Sequence, residues 1–83
     1  MKYTSKEAIE IIQKEFENAP HTIDDMLGNA ACNRKIKQFI SACRFESLPE
    51  KECRDTLFKL FDEYNVSMNN KSEVSELIYR YYK

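Results

Sequence analysis

Eighty-three residues, 42% of them apolar and 33% charged, with one glycine and two prolines, describe a single globular domain. This composition excludes a disordered chain, and it excludes a strand-and-turn fold, which needs turn residues at every reversal. A formal net charge of −1 exerts no global pull toward nucleic acid or anionic lipid.

The chain opens with Thr4 and Glu7 at capping-box spacing, which predicts a first helix over about 5–18. Ala8, Ile9, Ile11, Ile12 and Phe16 form its apolar face, while Glu7, Glu10, Lys14 and Glu17 stay in water. Pro20 ends it, because the residue before a proline is driven out of helical geometry. A short second helix is expected at 23–27, capped by Thr22 and closed at Gly28, with Ile23, Met26 and Leu27 inward. The third helix covers about 30–45 and buries Cys32, Ile36, Phe39, Ile40 and Cys43. A fourth is expected over 48–64, from a Ser47–Glu50 capping box with Pro49 in the first turn, burying Cys53, Leu57, Leu60, Phe61 and Tyr64. A link at 65–69, with Val66 and Met68 tucked toward the core, leads to a last helix over 71–82. That helix starts from an Asn70–Glu73 box and buries Val74, Leu77, Ile78 and Tyr81.

The fold class that follows is all-α: a compact small helical bundle or orthogonal array of four main helices plus one short helix, in one domain spanning 1–83. No run of about 18 apolar residues occurs, so no membrane span is expected, and nothing at the start resembles a signal peptide. Cys32, Cys43 and Cys53 are odd in number and lie on apolar helical faces, which fits reduced core thiols in a cytoplasmic protein.

Chemistry finds little to work with. His21 is the only histidine, and its neighbours Asp24 and Asp25 read as first-turn carboxylates favoured at a helix N-terminus. One imidazole without a second soft ligand is a poor metal site, and the cysteine spacings of eleven and ten residues are not those of zinc ligands. A single glycine forms no phosphate loop. The expectation is therefore a non-enzymatic protein with no catalytic residue, metal or cofactor.

Two surface features remain. Residues 30–45 carry four cations and no acid, between acidic flanks. Arg34, Lys37, Gln38, Ser41 and Arg44 share the outward face of the third helix, with Asn33 and Lys35 beside them. All can donate to phosphates or base edges, and a short helix and a turn precede them as in a helix-turn-helix. The opposing consideration is that Arg and Lys are good solvent-facing helix formers which neighbouring acidic helices can neutralise. The second feature is aromatic. Tyr79, Arg80 and Tyr82 crowd the last helix beside Tyr81, and Phe45 and Phe58 lie off the centre of their apolar stripes. Tyrosine, phenylalanine and arginine in such positions suit a contact with another protein; the alternative is that the rings wrap the edges of a small core.

These features point to a small regulator or inhibitor that docks on a larger partner protein, or on a second copy of itself. A nucleic-acid-binding helix-turn-helix protein using residues 33–44 is the alternative, followed by a structural subunit of a larger assembly.

Overall fold

The computed structural model describes residues 3–18 and 30–83. They form four helices, α1 (Ser5–Asn18), α2 (Ala30–Phe45), α3 (Glu50–Glu63) and α4 (Met68–Tyr82), with no strand among them. The expected all-α class is what the chain adopts. The short helix expected at 23–27, together with His21, Asp24, Asp25 and Gly28, lies outside the described residues, as does the side chain of Cys32. None of the described helices is long and apolar enough to cross a membrane.

α1 starts where its capping box places it. The Thr4 hydroxyl accepts from the Glu7 N–H at 3.1 Å, and the Glu7 carboxylate accepts from the Thr4 N–H at 3.1 Å. That backbone bond, with a second from the Thr4 hydroxyl, holds the Glu7 carboxyl below its usual range.

The other two expected boxes do not form, for a common reason. Ser47 has φ 61 and Asn65 has φ 57, so both lie in the left-handed region. The Ser47 N–H bonds to the Arg44 carbonyl, and the Leu48 N–H reaches back to the Cys43 carbonyl at 3.0 Å. Asn65 and Val66 repeat the pattern on Asp62 and Phe61. Both junctions are thus Schellman motifs, in which a left-handed residue closes the helix and the next side chain turns back onto the core. Ser47 closes α2 and is not available to open α3. Pro49 stands at the α3 N-cap instead, without a side-chain cap, and its carbonyl accepts from the Cys53 N–H at 3.1 Å. In the same way Asn65 closes α3, and Ser67 rather than Asn70 caps α4 by accepting from the Asn70 N–H at 3.3 Å. α4 therefore begins at Met68, three residues earlier than its composition suggests, and Met68 points to solvent at 74% exposure instead of toward the core.

The core draws on every helix. Ala8, Ile12 and Phe16 of α1 meet Ile36, Phe39, Ile40 and Cys43 of α2; Cys53, Leu57, Leu60 and Phe61 of α3 and Val74 and Ile78 of α4 complete it. Val66, delivered by its Schellman turn, is buried with them. Phe16 ties α1 to the end of α3, its ring 6.1 Å from that of Phe61 and edge-on to Tyr64 at 5.2 Å. α2 is the central helix and packs against α1, α3 and α4. Only one strip of α2 is left to face outward.

Candidate interaction surfaces

That outward strip carries Arg34, Lys37, Gln38, Ser41 and Arg44, all exposed, on one face of α2 by virtue of their three- and four-residue spacing. Most of it forms one wall of a groove of about 360 Å3, lined by Arg34, Lys37, Gln38, Ser41 and Ala42, with Tyr3 and Phe45 as aromatic walls. Phe45 ends α2 and is 69% exposed. Tyr3 reaches the groove because of a contact across the fold. Glu46, just past α2, accepts from the Ser5 N–H at 2.6 Å and from the Ser5 hydroxyl at 2.8 Å. The carboxylate thereby satisfies an otherwise unpaired amide at the start of α1 and fixes the residues preceding that helix beside the end of α2.

Among the described residues lining this groove there is no carboxylate. Lys35, by contrast, points to the α1 side and pairs with Glu15 at 2.6 Å, as a structural role for the basic residues anticipates. Asn33 is half-buried, with its carbonyl oxygen enclosed and without a partner. It adjoins a shallow depression shared by Lys37, Leu77 and Arg80 and by two carboxylates of α4, Glu73 and Glu76. The basic strip is therefore bounded by acids toward α4.

A second, broader groove of about 640 Å3 runs between α3 and α4. Phe58, Met68 and Tyr79 provide its apolar surface; Phe58 is half-buried with its ring 6.1 Å from Phe61, and Tyr79 is 52% exposed. Its cations are already engaged. Arg54 pairs with Glu50 at 3.4 Å, Lys71 with Asp62, and Arg80 beyond the rim takes Glu76 at 3.1 Å.

The aromatic residues singled out in the sequence thus fall into three places. Phe45 joins the basic strip, Phe58 and Tyr79 share the α3–α4 groove, and Tyr82 turns inward. Val74, Ile78 and Tyr82 recur every four residues, so Tyr82 extends the buried stripe of α4. It is half-buried, as is Tyr81, and its hydroxyl is fully enclosed without a hydrogen-bond partner of regular geometry. The polar neighbour of that hydroxyl is the thiol of Cys53, which in turn meets that of Cys43. The Cys43 thiol donating to its neighbour pulls Cys53 below the usual thiol range, while the same contact, with burial, pushes Cys43 well above it. Burial first, and then the charge a thiolate would carry, raises Tyr82 as well. Both cysteines are free and buried, consistent with core thiols. The described residues hold no group of three side chains suited to a metal.

Three contributors escape the sequence reading. Tyr3 and Met68 lie outside the expected helices, and Glu46 acts on a residue 41 positions away. A hint existed for Tyr3 alone, as an aromatic residue next to a helix cap. Comparisons with protein families, with characterised proteins and with solved structures give no match to this chain, so the two grooves are interpreted from their own geometry.

Proposed function

We propose that this protein is a small binding module, without chemistry of its own, that docks on a larger partner protein and acts as a regulator or inhibitor of it. The docking surface is the α2 groove. One observation carries the reading: the exposed rings of Tyr3 and Phe45 share a groove with Arg34 and Lys37, and the described residues lining it include no carboxylate. Aromatic area with a few well-placed polar groups is the composition of interface hot spots.

The nucleic-acid reading takes support from the same strip, since Arg34, Lys37, Gln38 and Ser41 are all donors. The shape of the site weighs against it. A recognition helix must protrude to enter a major groove about 12 Å wide, whereas α2 is the central helix, packed against α1, α3 and α4, and most of its exposed strip lines a concavity. Glu73 and Glu76 beside Lys37 would also repel a phosphate backbone continuing past it.

Affinity capture with the wild-type protein and with Phe45→Ala, from nuclease-treated native lysate, tests the proposal. A stoichiometric protein partner identified by mass spectrometry with the wild type and lost with Phe45→Ala is the expected result. Recovery that vanishes on nuclease treatment overturns it in favour of nucleic acid.

A further inference from the structure

The α2 groove and the α3–α4 groove pose different problems to a partner, and the difference indicates what the first one takes. In the α3–α4 groove every cation already has a carboxylate from its own surface. The α2 groove holds Arg34 and Lys37 with no acid among its described lining residues, in a chain whose net charge is −1. The positive charge is therefore local. It runs from Arg34 to Arg44, eleven residues or about 15 Å of helix, and it is bounded toward α4 by Glu73 and Glu76. Such an island matches a short run of negative charge and mismatches a long one.

Shape narrows the choice further. At about 360 Å3 the groove is near the lower end of concave sites, which run from roughly 300 to 1,000 Å3. It has room for one large side chain with its neighbouring backbone, and a folded domain does not enter it. Ala42 leaves the lining apolar and low, and Tyr3 and Phe45 add ring surface to it. Gln38 and Ser41 supply donors beside the cations.

Resting on the docking reading above, we infer that this groove binds an acidic linear segment of the partner protein with one aromatic side chain at its centre. The aromatic ring seats over Ala42 against Tyr3 and Phe45. Carboxylates next to it along the segment pair with Lys37 and Arg34, which follow one another toward the start of α2, and the guanidinium of Arg34 can take its carboxylate through two parallel bonds. Recognition of acidic motifs by clustered basic side chains follows the same logic.

The test is an NMR titration of the isotope-labelled full chain, following the amides of Gln38, Ser41 and Ala42. Four probes are compared: a pentapeptide with central phenylalanine flanked by two acidic residues on each side, the same peptide with lysine flanks, the same with serine and glycine flanks, and a ten-nucleotide oligothymidine. The acidic peptide is expected to shift these amides saturably, at least 10-fold more tightly than the lysine-flanked one. The variant R34E/K37E, its helicity checked by circular dichroism, loses about 30-fold or more, and Phe45→Ala weakens the same peptide without altering its charge preference. Equal binding of the serine- and glycine-flanked peptide at the same amides overturns the acidic preference while leaving peptide docking in place. Tighter binding of the lysine-flanked peptide, or no shift with any peptide, overturns the inference. Stronger shifts with the oligothymidine overturn it together with the docking reading.

Discussion

The two grooves use similar residue types to opposite electrostatic ends. Between α3 and α4, Arg54, Lys71 and the neighbouring Arg80 each find a carboxylate four to nine positions away, so the surface is neutral in patches around Phe58, Met68 and Tyr79. On α2 the cations follow one another with no acid between residues 30 and 45, and only Lys35, at the margin, is neutralised by α1. Aromatic exposure alone does not separate the two, since Tyr79 and Phe45 are both more than half exposed. What separates them is whether the surface has completed its own ion pairs. A surface that has done so gains little from a charged partner, because exposed pairs contribute only about 0–1 kcal/mol and exchanging one for another changes less.

The largest expected effect breaks the core that both grooves stand on. Phe61 is fully buried against Phe16 and Phe58, and Phe61→Ala should cost about 3–5 kcal/mol. In a domain of this size that removes most of the stability, and urea denaturation followed by circular dichroism will show the midpoint collapse. A midpoint within a few tenths molar of wild type would mean that the ring is not central to the packing.

Next in size is the contrast between the grooves themselves. R34E/K37E should abolish binding of an acidic partner segment, whereas the matching double reversal R54E/K71E in the α3–α4 groove should leave that affinity within about threefold. Its cost is to stability and is of the order of 1–2 kcal/mol, from two broken pairs and the like charges created. Equal losses of affinity from the two variants would erase the distinction drawn here.

The helix junctions give a smaller, opposite effect. Ser47 and Asn65 both adopt left-handed backbone, but asparagine tolerates it better than serine. Ser47→Gly should therefore stabilise the fold by about 0.5–1 kcal/mol, and Asn65→Gly by less. Thermal melts of the two variants order them, and the reverse order would contradict the junction geometry.

The smallest effect comes from Tyr82, which packs against the core and lines neither groove. Burial and the adjoining thiols raise it above the ordinary tyrosine value of 10.0, so the fold favours its neutral form. That contribution to stability is present below pH 10 and is lost as the pH rises beyond it. Absorbance titration of tyrosinate should show one late-ionising ring that Tyr82→Phe removes. The variant should also lose less stability than wild type between pH 10 and 11. A late step that persists in the variant would assign it to another tyrosine.

Much of the fold was legible in the sequence because helix formation here is local. The Thr4–Glu7 box, the apolar spacing of Ala8, Ile12 and Phe16, and that of Ile36, Phe39, Ile40 and Cys43 act within a few turns, and α1 and α2 span 5–18 and 30–45 as expected. Capping signals failed where two uses competed for one stretch. Ser47 resembles an N-cap, yet its position immediately after α2 commits it to the left-handed closing turn, and Ser67 replaces Asn70 because Asn65 has already closed α3. The candidate site was half legible. Periodicity places Arg34, Lys37, Gln38, Ser41 and Arg44 on one face, but nothing local shows Tyr3 arriving at the groove that Phe45 lines. Tyr82 was misplaced because three tyrosines in four residues compete for one stripe, and the four-residue recurrence from Val74 through Ile78 selects Tyr82 for partial burial along with Tyr81.

The bond between Glu46 and Ser5 has a consequence for binding entropy. Tyr3 lies before α1, where no helical hydrogen bond orders it, and a free ring there would have to be immobilised each time a partner arrives. By fastening the start of α1 to the end of α2, Glu46 sets the aromatic wall in place beforehand, so that little of the ordering cost of about 0.5–1.5 kcal/mol for such a side chain is charged to association. On the docking reading proposed for the α2 groove, Glu46 would influence affinity without touching the ligand. Its loss would appear calorimetrically as a less favourable binding entropy, with the enthalpy of the contacts in the groove largely preserved.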